Sequence, residues 1–342
     1  MKSRHANAAL VAALLVLLVL LVLALSQGST QLAPEAVLAG LAGPSTTWFG
    51  MAAADDTLQA IVRELRLPRA VLAMITGASL AMVGALLQTV TRNDLADPFL
   101  FGLSSGAAAG AVVVISFTGD ALGIWTLPVA AFSGGLLAGV SVLALAHRSA
   151  GQGPERIVIA GLAISFFFGA LTHVLVFAGD QRAAHSVLFW SLGGLGLARW
   201  DNLPLALAGL LALCVFAAFK HRALDALLAG DETAHSLGVR PQHLRRQVFL
   251  LAAFATACCV ALTGVIGFLG LMVPHLARRG AGLLHAALLP TCALLGAALL
   301  LGSDLLARTL LRPQELPVGI VTAGLGAFFV MALLLRRGAA AA

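Results

Sequence analysis

The chain has 342 residues, of which 60% are hydrophobic and 11% charged, with a formal net charge of +6 and a mean hydropathy of +0.98. Soluble domains carry about 25% charged residues, so this composition excludes a water-soluble globular protein and makes lipid the solvent for most of the chain. The excess positive charge does not read as a nucleic-acid surface, because the arginines stand singly or in pairs between apolar runs.

A bilayer-crossing helix needs about 20 mostly apolar residues. Spans of that kind are expected near residues 8–27, 68–91, 97–116, 122–147, 155–178, 201–220, 243–263, 265–279, 286–307 and 315–336. The first follows Lys2 and Arg4 as a signal peptide would, yet no small-residue cleavage site closes it and many spans follow, so it reads as a membrane helix. The span at 265–279 is short, and a half-helix near 186–194 is expected to dip in without crossing. Backbone in lipid has to hydrogen-bond internally, so every span is expected to be helical. The many Gly, Ala and Ser residues suit close helix packing. The fold class is an all-α integral membrane bundle of about ten helices, with residues 1–342 as one transmembrane unit.

Within the spans, Asp97-Pro98 reads as an N-cap followed by an N1 proline, opening the third. Ser104 and Ser105 follow, but the sequence places no base to activate either as a nucleophile. His173 lies deep in the fifth span among Phe166, Phe167, Phe168 and Phe177, as a hydrogen-bonded core histidine or a residue facing a path. Arg182 and His185 stand just beyond it, where an anionic cargo would enter. Gly264, Gly267, Gly270 and Pro274 interrupt the apolar run around the seventh and eighth spans, as in helices that line a cavity. His275 reads as a structural histidine. Cys214, Cys258, Cys259 and Cys292 sit in apolar stretches without a CxxC and read as small buried hydrophobes. The chain has no tyrosine, so phenolate ligation of iron is excluded within it.

Basic residues concentrate on the cytoplasmic side of membrane proteins. With the N-terminus inside, 14 of the 21 lysines and arginines fall on that side and both chain ends are cytoplasmic. No acidic residue falls at mid-membrane, where charge usually marks an ion or proton path. The stretch 221–240 then lies in the cytoplasm. Leu224, Leu227 and Leu228 have helical spacing, Gly230 ends that turn, Asp231 is a good N-cap for a second short helix with Glu232 in its first turn, and Gly238 stops it. Two short capped helices would make a compact knob, either an ordinary solvated loop or an element that seats in a cytoplasmic partner. On the outer side, Arg66, Arg69 and Arg308 run against the charge trend, as headgroup anchors or as a docking patch for acidic groups. A phosphate-cradling P-loop needs Gly-Lys-Ser/Thr. The only lysines are Lys2 and Lys220, neither in that context, so any ATP hydrolysis belongs to a separate subunit.

Six stretches in order, "RLPRAVLAMITGASLAMVGALLQ" (66–88), "RNDLADPFLFGLSSGAAAGA" (92–111), "ETAHSLGV" (232–239), "TGVIGFLGLMVPHLARR" (263–279), "LLGSDLLART" (300–309) and "QELPVGIVTAGLGAFF" (314–329), resemble the FecCD or BtuC-like permease subunits of ABC importers for ferric siderophores, haem and vitamin B12. Asp94 departs from the family's usual Asn-Pro-Leu-Ala-Asp-Pro. The resemblance implies a type II importer permease that acts as a homodimer in a bacterial inner membrane. It implies two ATP-binding subunits carrying ATP-Mg inside, a periplasmic substrate-binding protein outside, and no cofactor in this subunit. It also implies coupling to the ATPase through Asp231, Glu232, Ala234, Leu237, Gly238 and Val239, and docking of the binding protein at Arg66, Arg69 and Arg308. The path and its gate are expected near Asn93, Asp97, Pro98, Ser104, Ser105, His173, Arg182 and His185. An iron chelate, haem ahead of a ferric siderophore, is the expected cargo, with cobalamin the alternative.

Overall fold

A computed structural model describes residues 2–28, 31–42, 56–119, 121–148 and 153–341. The chain ends Met1 and Ala342, and the side chains of Lys2, Arg4, Arg336 and Arg337 used in the charge count, lie outside the described set. The helices are α1 (Lys2–Ser26), α2 (Pro34–Ala42), α3 (Asp56–Ala60), α4 (Leu67–Thr91), α5 (Leu103–Val113), α6 (Thr126–Arg148), α7 (Glu155–Ala178), α8 (Gln181–Ser191), α9 (Leu203–Leu228), α10 (Asp231–Ser236), α11 (Pro241–Thr263), α12 (Leu269–Ala281), α13 (His285–Thr309) and α14 (Val318–Ala341). No strand occurs among the described residues.

Among the described residues, seven continuous helical stretches are long and apolar enough to cross a membrane: Asp56–Thr91, Gly123–Arg148, Glu155–Ala178, Leu203–Leu228, Pro241–Thr263, His285–Thr309 and Val318–Leu335. The shorter apolar helices Leu10–Ser26 and Leu103–Thr118, with the 13-residue α12, bring the bundle to about ten.

Several boundaries differ from the sequence expectation, the second span among them: expected from 68, it belongs to a continuous helical stretch that starts at Asp56. Asp97 does cap, its side chain accepting from Phe99 N, but it caps only the 3₁₀ turn Pro98–Phe101; Gly102, at φ +77°, then redirects the chain, and α5 begins at Leu103. The sixth span does not stop near 220. No proline breaks it, so α9 continues to Leu228 and absorbs the Leu224/Leu227/Leu228 turn expected as a separate helix. The half-helix α8 starts at Gln181, because the Asp180 side chain caps it by accepting from Ala183 N at 2.6 Å.

Helix α4 is the axis of the molecule. Its apolar stretch is 89% buried, whereas those of α7 and α14 are 22% and 17% buried. It packs on α13, α9, α11 and α12, while α5 packs on α6 and α7 and α11 links the two groups. Glycine sets the closest approaches. A Cβ at Gly84 would overlap the carbonyl oxygen of Gly270 in α12, and one at Gly77 would overlap that of Gly296 in α13. With no hydrophobic drive between helices in lipid, such dispersion-rich backbone contacts hold the bundle together. The core is correspondingly built of Leu, Ala and Val from α4, α9, α11 and α13.

Candidate functional site

Polar chemistry gathers at the two ends of α4. Its 25 residues span roughly 37 Å at 1.5 Å per residue.

At the C-terminal end of α4 the chain forms a braced knob. Gly230, at φ +125°, rather than Asp231 holds the N-cap position of α10, and Asp231 falls in the first turn. The Asp231 carboxylate is engaged elsewhere: Arg245 in α11 donates to both its oxygens at 2.9 and 2.7 Å, and Arg92 donates to Oδ1. These partners, Arg245 first, hold the Asp231 carboxyl below the usual carboxylate range. Arg245 is buried, and its Nε donates to Val90 O at 3.0 Å, so α10 is tied through one guanidinium to the end of α4. Ala234 is fully buried against this platform, and Val239 N returns to Ala234 O at 2.9 Å. Gly238, at φ +77°, permits that reversal. Glu232, Leu237 and Gly238 are exposed and Val239 half-buried; Leu237 is 66% exposed, an apolar side chain at the tip of a polar knob.

A second brace lies beneath. His285, fully buried at the start of α13, pairs with Asp225 of α9 through Nδ1 at 2.6 Å and with Thr89 of α4 through Nε2 at 2.8 Å. Sequence reasoning missed Arg245, Asp225 and His285. The separations of 14 and 60 residues carry no local signal.

Asn93, Asp97 and Pro98 form the loop beside this end. Asp97 and Pro98 are buried against the first turn of α12, where Gly270 leaves room for the Asp97 Oδ2 and Pro98 Cδ atoms. Burial pushes the Asp97 carboxyl up to about 6, against the opposing backbone N–H groups of Phe99 and Leu271. Asn93, Leu271, His275 and Phe329 line a cavity of about 240 Å³ between this loop, α12 and α14. The His275 ring meets the Phe329 ring edge-on at 5.4 Å.

The other proposed path residues are not brought together. Ser104 is buried inside α5, and Ser105 Oγ pairs with Ser165 Oγ of α7 at 3.2 Å. His173 is exposed on α7, not enclosed as a core histidine. Arg182 and His185 are exposed on α8, the His185 ring resting 4.7 Å from Phe189.

At the other end of α4, the three arginines differ from the expected exposed patch. Arg66 is 7% exposed and donates to Leu25 O and Ser26 O of α1 at 2.6 and 3.0 Å. Arg308 is 5% exposed, with its Nε 3.0 Å from Asp304 Oδ2 and a donor contact to Gln27 O at 3.1 Å. Both turn inward because the C-terminal carbonyls of α1 offer acceptors that lipid cannot. Arg69 bridges Asp304 and Glu315, each at 2.8 Å, and keeps 19% of its side chain exposed. Asp304 itself is fully buried. Its i, i+4 spacing to Arg308 was the available signal for this network.

A bundle of apolar helices around a buried glycine-packed axis, with a braced polar knob at one end and a buried ion network at the other, defines a polytopic membrane permease. The model of the FecCD transport family matches residues 15–336, and the chain belongs to that family. It is 40% identical over 286 residues to the hemin transport system permease protein HmuU of Yersinia pestis, covering 83% of this chain and 85% of that one. It is also 40% identical over 286 residues to the cobalamin import system permease protein BtuC of Halobacterium salinarum, covering 82% and 75%. A solved metal-chelate type ABC transporter in an inward-facing conformation superposes with a TM-score of 0.82 at 29% identity, over 96% of this chain and 98% of that one.

Proposed function

We propose that this chain is the permease subunit of an ATP-driven importer of metal chelates, working as a homodimer in a bacterial inner membrane with both termini cytoplasmic. Two ATP-binding subunits, which hold ATP-Mg, seat on α10, and a substrate-binding protein docks at the opposite rim. The single observation that carries the coupling role is the bracing of α10. Its inner face is locked to α4 and α11 through Asp231 and Arg245, while Glu232, Leu237 and Gly238 face outward. A push on such an element is transmitted rather than absorbed. Docking at the opposite rim rests on Arg69, whose partner Glu315 is exposed and exchangeable; Arg66 and Arg308 serve α1 in this state.

Haem, ahead of a ferric siderophore, is the cargo we favour. Supporting it are the named substrate of the Yersinia relative and one face of α7, where Phe166, His173 and Phe177 are exposed at helical spacing. Cobalamin is the second reading, carried by the equal 40% identity to the Halobacterium relative. The deciding experiment is growth of a deletion strain under iron starvation on haem, on single ferric siderophores and on inorganic iron. Loss of growth on haem alone is the expected outcome. Growth on every iron source transfers the assignment to cobalamin, tested in a strain that requires it. Uptake that survives loss of all ATP-binding partners would overturn the importer reading in favour of a secondary carrier.

A further inference from the structure

A second, larger cavity of about 540 Å³ opens where α4, α9 and α12 end and α13 begins. That size lies within the roughly 300–1,000 Å³ of small-molecule sites. Its polar side is lined by Arg92, Arg278 and Arg279, with Asp94 the one carboxylate in the lining. Asp94 offsets little of this charge: it is an exposed side chain 3.3 Å from Arg278. Arg92 is shared with Asp231 outside the cavity. Arg279 is exposed and has no hydrogen-bond or ion-pair partner among the described residues. Basic residues in the last turn of a helix commonly complement its carbonyls, but Arg279 bonds none of them.

The remaining polar lining is His275, whose ring lies edge-on against Phe329, with Gln88 and Thr89. Gln88 Nε2 donates to Gly270 O at 3.0 Å, and Thr89 Oγ1 is paired with His285. The Gln88 Oε1 atom is buried without a hydrogen-bond partner among the described residues, but it is an acceptor, so the guanidinium groups are the fixed positive charges that can meet an anion. The opposite wall is apolar, made by Leu228, Leu283 and Leu288. It runs out into exposed leucines at the rim, Leu276 at 38%, Leu283 at 58% and Leu284 at 63% exposure. A free inorganic anion has no use for that wall, and a purely apolar ligand has none for the arginines.

We propose that this cavity binds the phosphate headgroup of an anionic phospholipid from the leaflet on the α10 side, with the acyl chains leaving over Leu283 and Leu284. Basic pockets between membrane helices are suited to such headgroups, and guanidinium groups pair with phosphate in bidentate fashion. The inference rests on the reading that the chain spans a membrane, and on neither its cargo nor its orientation.

The test is lipid retention by the full chain, purified with whatever subunits accompany it. The protein is exchanged from nanodiscs of phosphatidylcholine with phosphatidylglycerol into detergent, and bound lipid is counted by native mass spectrometry. Wild-type protein is expected to retain phosphatidylglycerol and lose phosphatidylcholine. One arginine near a membrane surface contributes about fivefold to anionic-lipid affinity, so Arg279→Gln is expected to lower retention about fivefold and R278Q/R279Q about thirtyfold. Arg279 has no internal partner, so its single variant tests the site even where the double variant fails to fold. Arg148→Gln, an exposed arginine outside the cavity lining, should retain lipid like wild type. Unchanged retention in Arg279→Gln, or an equal loss in Arg148→Gln, would overturn the site. Displacement of the lipid by millimolar inorganic phosphate, with no effect of Leu283→Gln, would assign it to a free phosphate instead. Transport assays decide the importer reading separately, so the two can fail independently.

Discussion

Asp231 and Asp97 lie at the same end of the molecule, and their surroundings push them in opposite directions. Arg245 and Arg92 lower the Asp231 carboxyl below its ordinary value. A lowered folded-state value means that the contact stabilises fully above the unfolded carboxylate range and is lost as pH falls through the lowered value. The difference in thermal midpoint between the wild type and Asp231→Asn should therefore hold steady through neutral pH and vanish only in strong acid. A difference that already disappears near pH 6 would contradict the arginine brace. Asp97 is raised to about 6 by burial, and the sign reverses. The folded state binds the proton more tightly than the unfolded one, so stability declines as pH rises from about 4 to about 6 and then levels off. Asp97→Asn keeps an acceptor for Phe99 N while removing the buried charge. It should melt higher than wild type at pH 7 and equally at pH 4, as read by a thermal shift series. An equal shift at both values would show that the carboxylate's charge is not the cause.

Among the elements, α4 and α12 test the glycine packing. Gly84 has no room for a side chain against the Gly270 carbonyl, and Gly270 in turn accommodates Pro98 and Asp97. Overpacking a tight core costs about 1–3 kcal/mol. Gly84→Val should therefore lower the thermal midpoint and loosen the Asn93–Phe101 loop along with α12, which limited proteolysis or hydrogen exchange would report as earlier opening of both. Loss of stability without any change in the loop would separate the two. The ion network at the other end ties α1, α4 and α13 together. A buried pair is weak evidence for net stability, while breaking one side of it costs about 3–5 kcal/mol because the other charge is stranded. Asp304 and Arg308 therefore read as a device that fixes how α1 sits on α13, since both Arg66 and Arg308 reach its last carbonyls.

At the scale of the whole molecule, the outward faces of α7 and α14 distinguish this chain from a self-contained bundle. Phe177 is 92%, Phe328 72% and Leu335 76% exposed, and only about a fifth of each helix is buried. Lipid covers some of that surface, and the proposed second copy covers the rest. Light scattering on the purified permease in detergent should give a protein mass of two chains; a mass of one chain, 34.9 kDa, would rule out a stable homodimer under those conditions. Hydropathy alone located the membrane-spanning helices, because the cost of placing a residue in lipid is local and nearly additive along a segment, but it marked neither α2, nor the helical stretch 56–66 ahead of α4, nor the end of α9 at Leu228. The same reasoning identified 221–240 as foreign to the membrane, since its charges and glycine stops are local too. Local signals did not say which way a long polar side chain turns in a helix apolar on every side. Arg66 and Arg308 looked like outward charge until α1 supplied carbonyls 40 and 284 residues away in sequence. The bracing of α10 by Arg245, the link of Asp225 to His285, and the gathering of three arginines around one cavity were likewise settled only by the packing, because a charge in a low-dielectric bundle takes the partner that the fold brings within reach.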